Sequence, residues 1–197
     1  MPNIERLREN LLCRGYDVSC FETSQQANQY LVEKLRGKTI GMGGLMTAKD
    51  MGLPELLKTV GSRLIWIWEE GDLQEAACAP IYLSSVNGAA ESGELINIDG
   101  IGNRVSSTCY GHEELYLIFG MNKVEETFEK ALWRARNIAA PKNAQRLNKK
   151  TPCAVKGDRC YNCNSPDRIC KVLNVLWGPP KGFRRVEVII VNEVLGF

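Results

Sequence analysis

Four cysteines near the C-terminus form the densest group of chemically reactive residues in this sequence. They are spaced C-x6-C-x2-C-x6-C within TPCAVKGDRCYNCNSPDRIC, at Cys153, Cys160, Cys163 and Cys170. The C-x2-C step at Cys160 and Cys163 allows two thiolates to bind one metal ion. In a chain without secretory features, such a cluster is more typical of metal binding or redox chemistry than of a disulfide framework.

The spacing leaves four interpretations of these cysteines. Zinc takes four thiolates but usually from two close pairs, and only one close pair is present. An iron–sulfur cluster also takes four cysteines, although the C-x2-C-x2-C run is absent. A redox dithiol at Cys160 and Cys163 is the third, with Lys156, Arg159 and Arg168 nearby to favour thiolates. The fourth is reduced cysteines that only pack. The spacing favours a metal, either zinc or an iron–sulfur cluster.

A glycine-rich loop is the first candidate anion site. Gly41-Met-Gly43-Gly44 follows a predicted strand and precedes a predicted helix. Glycines there let backbone N–H groups approach an anion, and a helix N-terminus adds partial positive charge. Thr47 could add a hydroxyl donor. The loop is neither a Walker A nor a complete G-x-G-x-x-G motif, so a turn that merely allows close packing is the alternative.

Two tight turns carry candidate acid–base and ligand-binding groups. Glu91 and Asp99 are candidate catalytic carboxylates, since a carboxylate partly desolvated in a cleft can act as general base or nucleophile. Arg104 is suited to bidentate contact with a carboxylate or phosphate, and Asn103 stands beside it. The alternative is that Asp99, Asn103 and Arg104 cap turns and pair with one another.

His112 is the single histidine of the chain, so any site that uses an imidazole must use this one. It is therefore a candidate catalytic base. The alternative is an exposed histidine or one that satisfies a turn at the start of a strand. A Ser-His-Asp hydrolase has no support, because the G-x-S-x-G nucleophile motif is missing.

Basic and amide residues along one predicted helix and its flanks are candidate ligand contacts. Lys123, Arg136 and Asn143 could face the same cleft as the glycine loop and bind a polyanion such as CoA or a nucleotide. A solvated helix face is the alternative explanation of these charges.

The global composition limits the classes of partner. The chain has 197 residues, with 25 basic and 23 acidic side chains and a net charge of +2, which argues against nucleic acid or an anionic membrane as partner. There is no apolar run of about 20 residues, and the N-terminal MPNIERLREN lacks the apolar stretch of a signal peptide. We therefore expect a cytoplasmic protein with one domain over residues 1–197 and a cysteine-rich segment at 151–171.

Alternating helical and strand patterns predict an α/β fold that positions these groups. We expect strands at 18–21, 38–40, 64–68, 81–86, 94–99, 115–119 and 185–194. One helix is predicted to begin near Ile4, and a second is predicted to be capped by Ser24. A third is predicted from Val124 to Ala139, with a capping box at Asn122 and Glu125 and a stop at Pro141.

Four segments resemble the LUD-domain family, named for lactate-utilisation proteins of the LutC type. They are TIGMGGLMTAKDMGL, YLSSVNGAAESGELINIDGIGNRVSS, IFGMNKVEETFEKALWRARNIAAPKNAQRL and the cysteine segment, in the family's order. The resemblance is to a shorter branch with the C-terminal cysteine cluster. It implies the fold of ribose-phosphate isomerases, glucosamine-phosphate deaminases and CoA transferases, a three-layer α/β sandwich with a mostly parallel sheet.

The same resemblance implies a link to lactate or small organic acid utilisation. The expected ligand is a small anionic molecule, either a phosphate, a CoA ester or a carboxylate, bound in the α/β cleft. Glu91 is the preferred catalytic group because Ala-Glu-Ser-Gly resembles the Ser-Glu-x-Gly turn of some CoA transferases. The alternative is a non-enzymatic, metal- or iron–sulfur-binding accessory protein that partners an oxidoreductase subunit. The sequence leaves open the reaction, whether the protein is an enzyme, and its oligomeric state.

Overall fold

A parallel six-stranded sheet forms the centre of the computed structural model, which describes residues 2–69 and 71–197. In chain order the strands are β1 (Asp17–Phe21), β2 (Thr39–Met42), β3 (Arg63–Trp66), β4 (Ile81–Ser84), β5 (Gly88–Ala90), β6 (Leu95–Asp99), β7 (Glu114–Gly120), β8 (Val124–Glu125), β9 (Val172–Leu176) and β10 (Arg185–Val191). The main sheet has the order β1-β10-β7-β4-β2-β3. The predicted α/β class with a mostly parallel sheet is confirmed.

The helices lie between and around these strands. They are α1 (Ile4–Cys13), α2 (Ser24–Leu35), α3 (Met46–Asp50), α4 (Leu53–Thr59), α5 (Leu73–Cys78), α6 (Asn103–Cys109), α7 (Phe128–Arg134), α8 (Ala140–Arg146) and α9 (Pro152–Lys156). The cap of α2 is Thr23 rather than the predicted Ser24. Thr23 and Gln26 form a capping box, in which each side chain accepts from the other's backbone N–H.

Both faces of the main sheet are buried, which explains its continuous apolar strands. Alternate side chains of β10 enter opposite cores, with Val188 on one side and Ile189 on the other. One core lies under α2, α3 and α4, whose buried residues include Leu31, Ala48 and Leu57. The other core lies beneath α1 and a second, smaller sheet.

The second sheet, with the order β8-β5-β6-β9, was not predicted from the sequence. It covers part of the main sheet, and its outer face is covered in turn by Ala131 of α7 and by Ala135, which directly follows this helix. A Cβ atom at Gly88 would lie 2.5 Å from the carbonyl oxygen of Ala131, so glycine is needed for this close approach. The small sheet forms an additional layer between the main sheet and the outer helix.

The prediction of a helix from Val124 to Ala139 that stops at Pro141 was wrong at both ends. Val124 instead pairs with Ala89 in the second sheet, and the helix begins after Thr127, whose hydroxyl accepts from the N–H of Lys130. The helix then continues through a π-helical segment, Ala135–Ala139, into α8. A proline inside a regular helix lacks the backbone N–H for the helical hydrogen bond, and its ring clashes with the preceding turn. The wider π turn just before Pro141 accommodates it.

Across residues 2–69 and 71–197, none of the helices has both the length and the apolar character that a membrane crossing requires.

Candidate functional site

A cleft of about 480 Å³ opens at the carboxyl ends of three neighbouring strands of the main sheet. The segments that follow β2, β4 and β7 contribute Thr47, Ser85 and Lys123 to its floor. Its other walls come from the turn after β6, from α8 and from residues 166–171. The crevice at the carboxyl ends of parallel strands is the usual ligand-binding position in open α/β sheets.

Lys123 is buried in the floor of this cleft and contacts two hydroxyl groups. Its Nζ donates to Thr47 Oγ1 at 3.0 Å and to Ser85 Oγ at 3.1 Å, and the two oxygens are 3.2 Å apart. Within the described residues it forms no salt bridge. Burial, followed by the charges of Arg134 and Arg104, lowers the pKa of Lys123 to about 7, against a weak opposing effect of Asp50.

Asp99 organises the turn that carries Arg104 and Asn103 into the cleft. Its Oδ2 accepts from the backbone N–H groups of Arg104 at 3.0 Å and Val105 at 3.3 Å, at the start of α6. Arg104 Nε lies 3.9 Å from the same oxygen, and its NH2 donates to the carbonyl of Ile98. Asp99, Asn103 and Arg104 all line the cleft, and Asp99 at the same time caps the helix.

The glycine loop provides room for side chains from other segments. A Cβ atom at Gly43 would lie 2.7 Å from Arg104 Cγ and 2.8 Å from the Tyr82 hydroxyl, and one at Gly44 would lie 3.0 Å from the ring of Trp68. Gly44 lines the cleft, whereas Gly43 does not. The helix that follows, α3, has only five residues. The absence of side chains allows close packing of Arg104 against Gly43 and of Trp68 against Gly44.

Positive charge dominates the lining of the cleft. Six basic side chains line it, five of them in addition to Lys123, namely Arg104, Arg146, Lys149, Arg168 and Lys171, against the two acidic residues Asp99 and Asp167. The carboxylate of Asp167 accepts from the backbone N–H of Lys150. Arg146 stacks its guanidinium 4.7 Å from the ring centroid of Trp68 and donates to Asn143 Oδ1. The field in the cleft is suited to an anion.

Besides Gly43, three residues singled out in the sequence lie outside the cleft. Glu91 is buried, with its Oε1 accepting from the N–H of Asn3 at 2.7 Å and its Oε2 3.6 Å from Arg6 NH1, so it ties α1 to the second sheet. His112 is buried against Tyr82 at a ring-centroid distance of 4.7 Å, and its Nδ1 lies 2.6 Å from the carbonyl oxygen of Ala79. Burial lowers the pKa of His112. Arg136 faces the cysteines instead.

All four clustered cysteines line a second, small cavity of about 10 Å³, which adjoins the cleft and shares Ala140, Arg168 and Ile169 with it. Arg168 Nε lies 3.2 Å from Cys170 Sγ, and Arg136 NH2 lies 3.9 Å from Cys160 Sγ. All eight cysteines of the chain are free thiols. Over residues 2–69 and 71–197, no three Cys, His, Asp or Glu side chains are grouped closely enough to hold a metal ion.

Ser85 and Trp68 are among the cleft residues that escaped the sequence-based prediction. In the structure Ser85 directly follows β4 and Trp68 comes two residues after β3. The predicted strands at 64–68 and 81–86 extended over both residues, so their position beyond the strand ends was missed. With the strands ended at Trp66 and Ser84, a polar or aromatic residue just past an apolar strand would have been the available signal.

Comparison with known proteins identifies the family. The LUD-domain model matches residues 4–191. Among solved structures, a DUF162 family protein from Deinococcus radiodurans has a TM-score of 0.56 at 14% identity, with 95% of each chain covered. The eIF2B beta structure from Chaetomium thermophilum has a TM-score of only 0.33 at 12% identity, over 64% of this chain and 44% of that one. No curated protein matches. Because the family model spans nearly the whole chain, this protein belongs to the LUD-domain family.

Proposed function

We propose that this protein binds a small anionic metabolite in the cleft and serves the utilisation of lactate or a related organic acid. The observation that carries the proposal is the excess of cationic side chains in the cleft, where five, not counting Lys123 with its lowered pKa, face two acidic residues. Of these five, only Arg104 is ion-paired within the described part of the chain, to Asp99 at 3.9 Å. Unpaired cations around a cavity favour a ligand that brings the missing negative charge.

The size of the cleft bears on the class of ligand. Small-molecule sites commonly have volumes of roughly 300–1,000 Å³, and this cleft of about 480 Å³ falls within that range. A free three-carbon acid would fill only a small part of it. The cleft wall also carries the Trp68 ring and the Arg146 guanidinium stacked on it, an aromatic and cationic surface that a larger anionic ligand can contact. We therefore favour a phosphorylated organic acid or a CoA ester over free lactate.

A ligand panel tests this proposal. Thermal shift and calorimetry at low ionic strength would use inorganic phosphate, lactate, CoA and acetyl-CoA as probes. We expect phosphate and the CoA compounds to raise the melting temperature, and added salt to weaken their binding. An unchanged melting temperature with every probe would overturn the proposal.

Matched charge variants locate the site. The double variant Arg146→Gln with Lys149→Gln removes two cleft cations, whereas Arg36→Gln with Lys181→Gln removes two exposed cations that do not line the cleft. A hydrogen bond to a charged group is worth about 1.5–3 kcal/mol, so we expect a roughly tenfold to hundredfold loss of affinity for CoA in the first variant only. Equal losses in both would assign binding to general surface charge.

A second candidate function rests on the cysteines. All four line one cavity, beside two arginines. This arrangement favours a thiolate-bound metal, either zinc or an iron–sulfur cluster. The corresponding function is that of an accessory protein to an oxidoreductase subunit. The sulfurs are not grouped for a single ion as they stand, so binding would require movement of residues 157–171, which contain no helix or strand.

Metal analysis after anaerobic purification tests the second candidate. We expect stoichiometric zinc, or iron with sulfide, in the unaltered protein and its loss in the Cys160→Ser, Cys163→Ser variant. The exposed pair Cys13 and Cys78 provides a matched control when both are changed to serine. A colourless, metal-free protein would exclude this function.

A further inference from the structure

Lys123 combines three features that are seldom found together in a lysine with a purely structural role. It is 4% exposed, it lines the cleft, and its Nζ contacts hydroxyl groups instead of a carboxylate. A charged ammonium buried without a counter-ion is costly, whereas a neutral amine is tolerated. A structural lysine would be expected to have an acidic partner.

The hydrogen bonds at Nζ suit the neutral amine. A neutral amine has two N–H bonds, which match the two acceptors Thr47 Oγ1 at 3.0 Å and Ser85 Oγ at 3.1 Å. With both hydrogens used, the nitrogen lone pair is left for a bond to carbon. An ammonium would carry a third N–H without a partner among the hydrogen bonds of the described residues.

The charged groups around Lys123 favour the same state. Arg104 from α6 and Arg134 from α7 repel a positive charge at Nζ, and Asp50 of α3 opposes them only weakly. Arg134 is held in place because its Nε donates to the carbonyl of Asn122 and its NH1 to that of Asn87. A lysine desolvated beside other cations is the recognised form of an activated amine nucleophile.

From this geometry we propose that Lys123 is an amine nucleophile that forms an imine with a carbonyl compound bearing a carboxylate or phosphate group. The inference rests on the proposed anion-binding cleft and narrows its ligand to this class. Arg104, which lines the same cleft, would bind the anionic group, and the carbonyl carbon would meet Nζ.

The step balances without any oxidant or reductant. The Nζ lone pair attacks the carbonyl carbon, forming a C–N bond while the C=O π electrons move to oxygen. The two amine protons pass to that oxygen, with the adjacent hydroxyls of Ser85 and Thr47 as the relay, and the oxygen leaves as water. The product is a C=N bond between Lys123 and the ligand.

Reductive trapping on the complete chain tests the proposal. Pyruvate and glyoxylate serve as probes with sodium cyanoborohydride, which reduces the imine to a stable secondary amine, and peptide mass mapping locates the adduct. Acetone, a carbonyl compound without an anionic group, is the matched control probe. We expect Lys123 to be labelled by pyruvate and glyoxylate far more than by acetone, and more than the exposed Lys58 and Lys181.

The pH dependence of labelling in the unaltered protein is a second test of whether Lys123 is the reactive amine. Because Lys123 has a pKa of about 7, its labelling should rise about thirtyfold from pH 5.5 to pH 8 and then level off. An exposed lysine should continue to rise about tenfold per pH unit. The Lys123→Arg variant has a guanidinium that cannot form the imine, so the adduct at position 123 should vanish. The Lys58→Arg variant should leave the Lys123 adduct unchanged.

The outcomes separate this inference from the proposed function. If the probes or phosphate bind by calorimetry but no adduct appears at Lys123, the imine is overturned and the anion site stands. If labelling is confined to exposed lysines, the imine is likewise overturned. If no anion of the panel binds at all, the proposed function fails together with it.

Discussion

The backbone at Gly43 packs so closely against Arg104 that a Cβ atom there would lie 2.7 Å from Arg104 Cγ. The two residues come from different parts of the chain, one from the loop after β2 and the other from α6. The position of the main cleft arginine thus depends on the absence of a side chain sixty-one residues earlier in the sequence. This relationship gives the glycine a role that can be measured.

Replacing Gly43 by alanine should destabilise the fold by about 1–3 kcal/mol, because the added methyl group overpacks the contact with Arg104 and the Tyr82 hydroxyl. Gly178→Ala is the matched control, since its Cβ would meet a backbone oxygen only at 3.4 Å. In the Arg104→Ala background, Gly43→Ala should cost less unfolding free energy. Urea unfolding of the unaltered protein, the two single variants and the double variant measures the coupling free energy between the two positions. Additive effects would show that the two residues act independently.

Lys123 should make the folded state more stable as the pH rises above 7. Its pKa is lowered to about 7 in the folded chain and lies near 10.4 when unfolded, so between these values the unfolded state binds the extra proton. The gain should approach roughly 1.4 kcal/mol per pH unit. Urea unfolding at pH 7.5 and pH 9 should show this gain in the unaltered protein relative to Lys123→Met. Parallel pH curves for the two proteins would contradict it.

His112 should lower the stability of the folded state as the pH falls below its unfolded pKa of about 6.5. Burial lowers its pKa in the folded chain, so the unfolded state takes up the proton first and stability falls as the pH drops below 6.5. As the chain's single histidine, it can be isolated by one substitution. The His112→Gln variant should lose this pH dependence, as followed by thermal unfolding. A decline of the same slope in the variant would assign the effect to carboxylates.

Asp99 should stabilise the turn before α6 through its charge and its acceptor geometry. Asp99→Ala removes the acceptor for the N–H groups of Gly100, Arg104 and Val105, and should cost about 1–2 kcal/mol of unfolding free energy. Asp99→Asn keeps an oxygen acceptor and should cost less. Chemical unfolding ranks the two variants, and an equal cost would mean that the charge, not the hydrogen bonding, is decisive.

Much of the fold and part of the cleft could be predicted from local patterns. Buried strands appear as apolar runs, and residues that follow strand ends meet at one edge of a parallel sheet. Thr47, Asp99, Asn103 and Arg104, predicted from the strand ends, line the cleft, and so do Lys123 and Asn143, which were predicted from the basic helix and its flanks. Such residues are positioned by the topology, which the periodicity of the sequence indicates.

What the sequence could not indicate depends on contacts distant along the chain. Glu91 is engaged by Asn3, eighty-eight residues earlier, and so lies at a buried junction away from the cleft. The capping pattern at Asn122 and Glu125 is overruled because Val124 pairs with Ala89. Pro141 is accommodated by a π turn, which no local signal announces. Tertiary pairing outweighs local propensity in these cases.

The wall shared by the cleft and the cysteine cavity has a thermodynamic consequence. Arg168 and Ile169 line both spaces, so an occupant of one meets residues whose positions also shape the other. Two occupants bound as proposed would be linked through this wall, and the linkage would be reciprocal. The factor by which a metal or an oxidised pair of cysteines changed affinity in the cleft would equal the factor by which the cleft ligand changed affinity for that metal or shifted that oxidation. Measuring either factor determines the other.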